Sequence, residues 1–395
     1  MLVTRIIGDC PGCGAARSYG NVSVIGQELV RGCQRCDIRT NVYLPPIRKK
    51  IIYLDQFFFS HAFRGRDDRF VTAADRIKQL THAQLLVSPY SSVHEDETHQ
   101  WRGYGDKTGD DLMEFIKATS RGVMFEPAYR IERAQVIKAF AAFLSDASPQ
   151  VRLESGNAIR GNLQQWDSYF RIDVRTYIRD SKLKRRLKTE AVRDLVTLFD
   201  QWTRSAETFE QHVAIEMRDA GRLYVHAYLE MAGRVARGDF TAIIDSPIAA
   251  TLVEGMLDLL PAGIQGPDRL QRCVDFFNSN YFGQVPNERI SASLFATLRE
   301  MVKRGAYSDR DEARKRLSGI FDDIAHVSIF APYCDAFVMD TPMAELVRQP
   351  TVALERQYPV KVFSLRNWDE LFIWLDELEA RMTDEHRAAL KAVYP

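Results

Sequence analysis

The chain has no excess of charge: Lys+Arg and Asp+Glu both total 53. A protein that coats nucleic acid or an anionic membrane along its whole surface is markedly basic, so any such contact here is confined to a local patch. Long apolar runs are also missing. None approaches the ~18 residues that span a bilayer, and the opening Met1-Leu2-Val3-Thr4-Arg5 is interrupted too soon for a secretory signal. The expected location is therefore cytoplasmic. No fixed-period repeat runs through the helical stretches, which argues against a solenoid. A disulfide framework is lacking too. Of six cysteines, four fall within residues 10–36 and Cys273 and Cys334 stand alone, the distribution of a local metal site. Cys273 and Cys334 are read as small buried hydrophobes.

What remains is an ordinary globular composition, 46% hydrophobic and 27% charged over 395 residues, enough for a large core and two or three domains. The cysteines are the clearest local signal. Cys10-Pro-Gly-Cys13 and Cys33-Gln-Arg-Cys36 fit the C-x₂-C-x₁₅₋₂₀-C-x₂-C pattern of structural zinc sites. Two residues between thiolates form a tight knuckle that presents both sulfurs to one tetrahedral ion. Gly12 and Gly14 give that turn its freedom. Around them Val22-Ser23-Val24-Ile25 and Glu28-Leu29-Val30-Arg31 alternate as short strands do. The segment reads as a zinc ribbon whose four ligands, Cys10, Cys13, Cys33 and Cys36, leave Zn²⁺ no open position, making it structural. Arg17, Arg31, Arg35 and Arg39 are candidate phosphate contacts, or else a solvated or partner-docking face.

Beyond the stiff Pro45-Pro46 step the pattern changes. Ile51–Leu54 and Leu85-Leu86-Val87 are short apolar runs bounded by breakers, as buried parallel strands are. A helix over Ala73–Gln84 lies between them, and Ser91/Ser92 cap a helix through His94 to Trp101. Residues 110–325 are mostly helical by three- and four-residue spacing, in stretches that include Gln164–Ile178, Leu183–Gln201 and Ser308–Phe330. Strands return at Ala336–Met339 and Val360–Phe363, and a final amphipathic helix covers Glu370–Arg381, capped by Asn367. The expected architecture is a ribbon at 1–46 and an α/β domain in two halves, 47–104 and 321–395. A mostly α-helical insertion at 105–320 separates the halves, whose strands share one parallel sheet.

Acids stand at the ends of the apolar runs. Asp55 follows Ile51–Leu54, Asp340 follows Phe337-Val338-Met339, and Asp335 precedes that run. Glu95-Asp96-Glu97 opens the helix after the second strand. Asp55 and Asp340 have a plain reading as helix caps, and Glu95-Asp96-Glu97 as partners of a helix dipole. Asp55, Asp340 and one of the three consecutive acids also stand where open α/β sheets place ligands, at the carboxyl edge. Buried acids there are costly unless a partner or a metal neutralises them.

Tyr-Leu-Asp at 53–55, Ser-Pro-Tyr-Ser-Ser-Val-His-Glu at 88–95 and Pro-Tyr-Cys-Asp-Ala-Phe-Val-Met-Asp at 332–340 resemble the signature pieces of PIN-like domain nucleases. The resemblance covers roughly residues 50–104 and 320–380. It implies a three-layer fold with a parallel sheet and a cluster of acids that binds Mg²⁺ or Mn²⁺ and hydrolyses RNA or DNA, RNA more often. Carried over, Asp55 is the first acid, Glu95 or Glu97 the second, and Asp335 and Asp340 the third and fourth. The implied role is a metal-dependent endonuclease, with a toxin or defence effector as one biological use. The competing reading is a non-catalytic scaffold in which the ribbon and helical block bind a protein or nucleic-acid partner.

A nucleic-acid substrate needs local positive charge. Lys182-Leu-Lys-Arg-Arg-Leu-Lys188, preceded by Arg171, Arg175 and Arg179, is one candidate track, and Arg48-Lys49-Lys50 another. Each can equally be a solvated face. His61, His94 and His99 are read as polar surface groups, since water acidified by a metal needs no separate base.

Overall fold

In the computed structural model, residues 1–161, 163–168, 190–245, 247–264 and 266–394 are described, and two four-stranded sheets organise them. The first is antiparallel, with β1 (Arg5–Gly8), β2 (Tyr19–Ile25), β3 (Glu28–Cys33) and β4 (Arg39–Tyr43) in sequence order. The strands alternate, so Val24 and Leu29 are buried while Ile25 is exposed. Gly20 is required where β2 passes β1, because a Cβ there would lie 1.8 Å from the Arg5 carbonyl oxygen.

The second sheet is parallel throughout, in the order β6-β5-β7-β8. Its strands are β5 (Lys50–Leu54), β6 (Leu86–Val87), β7 (Ala336–Val338) and β8 (Lys361–Phe363). Strands from both ends of the chain thus share one sheet, as the apolar runs suggested. Ile51 to Leu54 are all buried because both faces are covered, the usual state of a parallel sheet. Ile52, Leu54, Ala336 and Val338 face one side, against α1 (Gln56–Arg64), α2 (Asp68–His82), α4 (Gly109–Thr119) and α14 (Trp368–Ala380). Ile51, Tyr53, Phe337 and Met339 face the other, where the helical region covers them. After β6 the chain enters α3 (Ser92–Gln100), whose start is fixed by a capping box of Ser91 and His94.

The helical region contains α5 (Ala128–Leu144), α6 (Phe199–Arg204), α7 (Phe209–Ala236), α8 (Pro247–Asp258) and α9 (Pro267–Phe277). Then come α10 (Pro286–Lys303), α11 (Arg310–Arg316) and α12 (Ile320–Phe330). Cys273 packs in its core on α9, and α13 (Thr341–Arg348) follows β7. The α12 side chains Ile324, Val327 and Phe330 seal the Tyr53 face of the sheet. Phe330 stacks on Tyr53 with ring centroids 5.2 Å apart. Burying a ring of that size contributes about 1.5–3 kcal/mol. No helix among the described residues is long and apolar enough to cross a membrane.

Three expectations change. The stretch Ser308–Phe330 is two helices, α11 and α12. Residues 164–168 are not helical, and the rest of Gln164–Ile178, like the basic run 182–188 with Arg171, Arg175 and Arg179, lies outside the described residues. The stiff Pro45-Pro46 step is held in place, with Trp166 donating to the Pro45 carbonyl at 2.8 Å and Leu44 and Ile47 buried. Finally, α14 is followed by a further helix, α15 (Asp384–Val393), capped by Thr383. Its Ala389 and Val393 complete the core of the first sheet with Val24, Leu29 and Trp166. Asn21 donates to the Ala392 carbonyl at 2.8 Å. Beneath this seam Lys49 is buried and pairs with Asp167 at 2.6 Å.

Candidate functional site

Among the described residues, two groups of side chains have the composition and spacing of metal sites. The first is Cys10, Cys13, Cys33 and Cys36, whose sulfurs all lie within 4.8 Å of one another. Cys10 and Cys36 sulfurs are 3.6 Å apart, and those of Cys13 and Cys33 are 3.9 Å apart. A tetrahedral ion with Zn–S of about 2.3 Å sets S···S edges of about 3.8 Å, so the cluster fits zinc. Gly14 adopts φ +70° to close the first knuckle. Amides of Gly12 and Arg35 point at the Cys10 and Cys33 sulfurs at 3.4 and 3.2 Å, as charge on those sulfurs would favour. Arg17, Arg35 and Arg39 are exposed nearby, while Arg31 is half-buried and bonded to Asn21.

The second group is Asp55, Glu97 and His326, each offering one ligand atom within 4.8 Å of the others. It stands at the carboxyl edge of the parallel sheet. Asp55 follows β5, is buried, and its backbone amide still bonds to Val338 across the sheet at 3.0 Å. Glu97 comes from α3. A helix turns about 100° per residue, so Glu95 and Glu97 point to nearly opposite faces. With α3 beginning at Ser92, the face of His94 and Glu97 meets the sheet edge, and Glu97, not Glu95, joins Asp55. His326 is the member sequence reasoning missed. It arrives from α12, 229 residues after Glu97, and its Nε2 lies 3.0 Å from Glu97 Oε2.

Asp340 flanks the group. It caps α13 by accepting from the Met343 amide at 2.8 Å, and it is near enough to raise the Asp55 carboxyl. Asp335 does not belong. It precedes β7 at the opposite, amino edge of the sheet, about 13 Å of strand away. There it pairs with Lys50 at 2.5 Å and accepts the Ile51 amide at 2.9 Å. Its role is to fix the register of β5 against β7. That contact also removes Lys50 from the proposed phosphate track, and Lys49 is spent on Asp167; of that trio Arg48 is exposed.

The electrostatics are those of crowded acids. Burial pushes the Asp55 carboxyl up to about 6; Glu97 and Asp340 push the same way, and His326 opposes them. Burial likewise raises Asp340, partly offset by the Met343 amide. Burial would lower His326, but the hydrogen bond and charge of Glu97, with Asp55 and Asp322, hold its imidazole above the usual range.

Behind His326 runs a buried chain of polar groups. Tyr53 Oη bonds to His326 Nδ1 and to Ser91 Oγ, the latter at 2.6 Å. His94 is fully buried, not a surface group: its Nδ1 accepts the Ser91 amide at 3.0 Å and its Nε2 donates to the Leu54 carbonyl at 2.8 Å. His61 and His99 are half-buried and lie outside the group. Cys334 is buried and donates to the Phe330 carbonyl at 3.2 Å, a packing role.

Two clefts border the acids. One of about 340 Å³ is lined by Glu97, Gln56, Arg64, Trp101 and Arg102. There the Arg64 guanidinium sits 5.8 Å over the Trp101 ring, and Gln56 Oε1 and Arg64 Nε are buried with no hydrogen-bond partner among the described residues. The other, about 690 Å³, has Asp340, Asp323 and Arg316 in its wall.

The signal for His326 was present in the sequence as a lone imidazole in the apolar run Ile324-Ala325-His326-Val327. Nothing local told it from a satisfied core histidine. Comparison with protein-family models, with curated proteins and with solved structures returns no match to this chain.

Proposed function

We propose that this protein is a metal-dependent nuclease that hydrolyses phosphodiester bonds, RNA in preference to DNA. The observation that carries the reading is the meeting of Asp55, Glu97 and His326 at the carboxyl edge of a parallel sheet, with Asp340 beside them. Three buried or half-buried groups with a surplus of carboxylate fit a divalent cation. The order of Tyr53-Leu54-Asp55, the α3 acid and Asp340 also matches the PIN-like resemblance, with Glu97 as the second acid and Asp335 excluded.

Asp55 and Glu97 would hold the ion, with Asp340 orienting groups around it. Such an ion acidifies water and offsets charge on a phosphodiester in the transition state. The neighbouring cleft supports a nucleic-acid strand: Arg64 and Arg102 can meet phosphates, and Trp101 offers a ring for a base to stack on. In the ribbon, four thiolates would hold one Zn²⁺ with a closed shell, for stability and not for catalysis.

The test is cleavage of single-stranded RNA and DNA with Mn²⁺. Asp55→Asn and Glu97→Gln each lose more than the roughly 10–100-fold that removing a supporting residue costs, with the fold intact. Full cleavage by both variants would overturn the proposal. The scaffold reading is favoured by one observation, that Asp55 and Asp340 each cap a helix, at 3.4 and 2.8 Å. It requires that wild-type protein cleave neither substrate with any divalent ion.

A further inference from the structure

We propose that His326 is a nitrogen ligand of the same cation, through Nε2, and that Tyr53 is the positioning residue that holds it in the ligating tautomer. The site is then built for a first-row transition ion such as Mn²⁺ and not for Mg²⁺. This rests on the metal-dependent reading of the acid cluster and names which ion that cluster takes.

The argument starts from hydrogen-bond direction. A carbonyl oxygen only accepts and a backbone amide only donates. His94 therefore carries its proton on Nε2, for Leu54, and presents a lone pair at Nδ1, to Ser91. Both of its nitrogens are committed, so it cannot ligate. His326 differs: its Nδ1 meets a phenol, Tyr53 Oη, which can accept as well as donate. When Tyr53 accepts from Nδ1–H, its own proton goes to Ser91 Oγ, 2.6 Å away. Ser91 in turn can donate to His94 Nδ1 at 3.2 Å. Each hydroxyl then both donates and accepts. As the site stands, Nε2–H of His326 donates to Glu97 Oε2 at 3.0 Å; a cation held between Asp55 and Glu97 would take the place of that proton, with the Nδ1 proton kept by Tyr53. Supporting groups of this kind on the far nitrogen are how proteins orient ligating histidines.

The ligand set decides the ion. Two carboxylates and one imidazole match ions that accept nitrogen, whereas Mg²⁺ prefers oxygen and holds its waters. Tyr53 is enclosed by Phe125, Phe330 and Phe337, which keep water from competing for its hydroxyl.

The experiment uses the full chain with zinc in the ribbon and Mn²⁺ as the only added probe. Pulsed electron paramagnetic resonance of the bound Mn²⁺ is expected to show one directly coordinated ¹⁴N. The signal changes on ¹⁵N-histidine labelling and disappears in His326→Gln. Tyr53→Phe keeps the nitrogen coupling but weakens Mn²⁺ binding by about 10-fold or more. Wild-type protein binds Mn²⁺ more tightly than Mg²⁺. Stoichiometric Mn²⁺ that depends on Asp55 yet shows no nitrogen coupling overturns the His326 assignment and leaves the acid site standing. Absence of any Asp55-dependent Mn²⁺ binding overturns both.

Discussion

The two candidate metal sites among the described residues are opposites in construction. The cysteine cluster is local: Cys10 and Cys36 are 26 residues apart, and the knuckle amides point at the sulfurs they flank. The acid cluster is global. Asp55 ends a strand, Glu97 rides on a helix after the next strand, and His326 belongs to a helix beyond the long helical region. The first site is held by its own loops, the second by packing of the entire α/β core. A local site needs its ion in order to fold, whereas a packed one is arranged before any ion arrives.

The largest effect that sharpens this contrast is loss of a cysteine. Cys33→Ser should release zinc, measured by elemental analysis, and unfold the first sheet. Because that sheet shares its core with α15, the C-terminus should become a site of rapid proteolysis. Asp55→Asn should instead leave zinc content and global stability nearly unchanged while cleavage is lost. If removing zinc with a chelator left the sheet intact, the contrast would fail at its first term.

A smaller effect separates the acids from one another. Asp335→Asn, at the amino edge, should cost stability of about 1 kcal/mol or less, since its pair with Lys50 is partly exposed. Cleavage should stay within a few-fold of wild type. A loss as large as that of Asp55→Asn would return Asp335 to the site.

The smallest effect concerns a buried acid outside both sites. Burial raises Glu132 on α5 to about 7, with help from Glu288 on α10. Below the unfolded carboxyl range of about 4.3 it is protonated in both states and adds no pH dependence. Between there and about 7 only the native state holds the proton, so stability falls as pH rises. Glu132→Gln should therefore raise the melting temperature by about 2–4 °C at pH 8 and leave it unchanged at pH 4. A gain of equal size at both pH values would show that packing, not charge, is responsible.

How far the sequence reveals this molecule follows the same division. The four cysteines were legible because their spacing is the geometry. The apolar runs at 51–54 and 336–339 were legible as strands because both faces are covered and no polar residue interrupts them. Asp55 and Asp340 were legible by position, at the ends of those runs. Asp335 was misplaced because an acid before a strand and an acid after it look alike in one dimension, while in the fold they stand at opposite edges. Glu95 gave way to Glu97 because the choice turns on where α3 starts. His326 was visible only as a lone imidazole in an apolar run, and the helix α15 went unread. Each acts by meeting something distant: the Asp55–Glu97 pair for one, the cysteine-bearing sheet for the other.

The place of β7 in the sheet has a consequence for timing. It lies between β5 and β8 and comes from residues 336–338, so the first hundred residues of a growing chain carry Asp55 and Glu97 but neither the strand that pairs beside Asp55 nor the imidazole that faces it. The cluster cannot assemble on a ribosome until the helical region and β7 have both emerged, and a truncated product would carry two of the acids without forming the site.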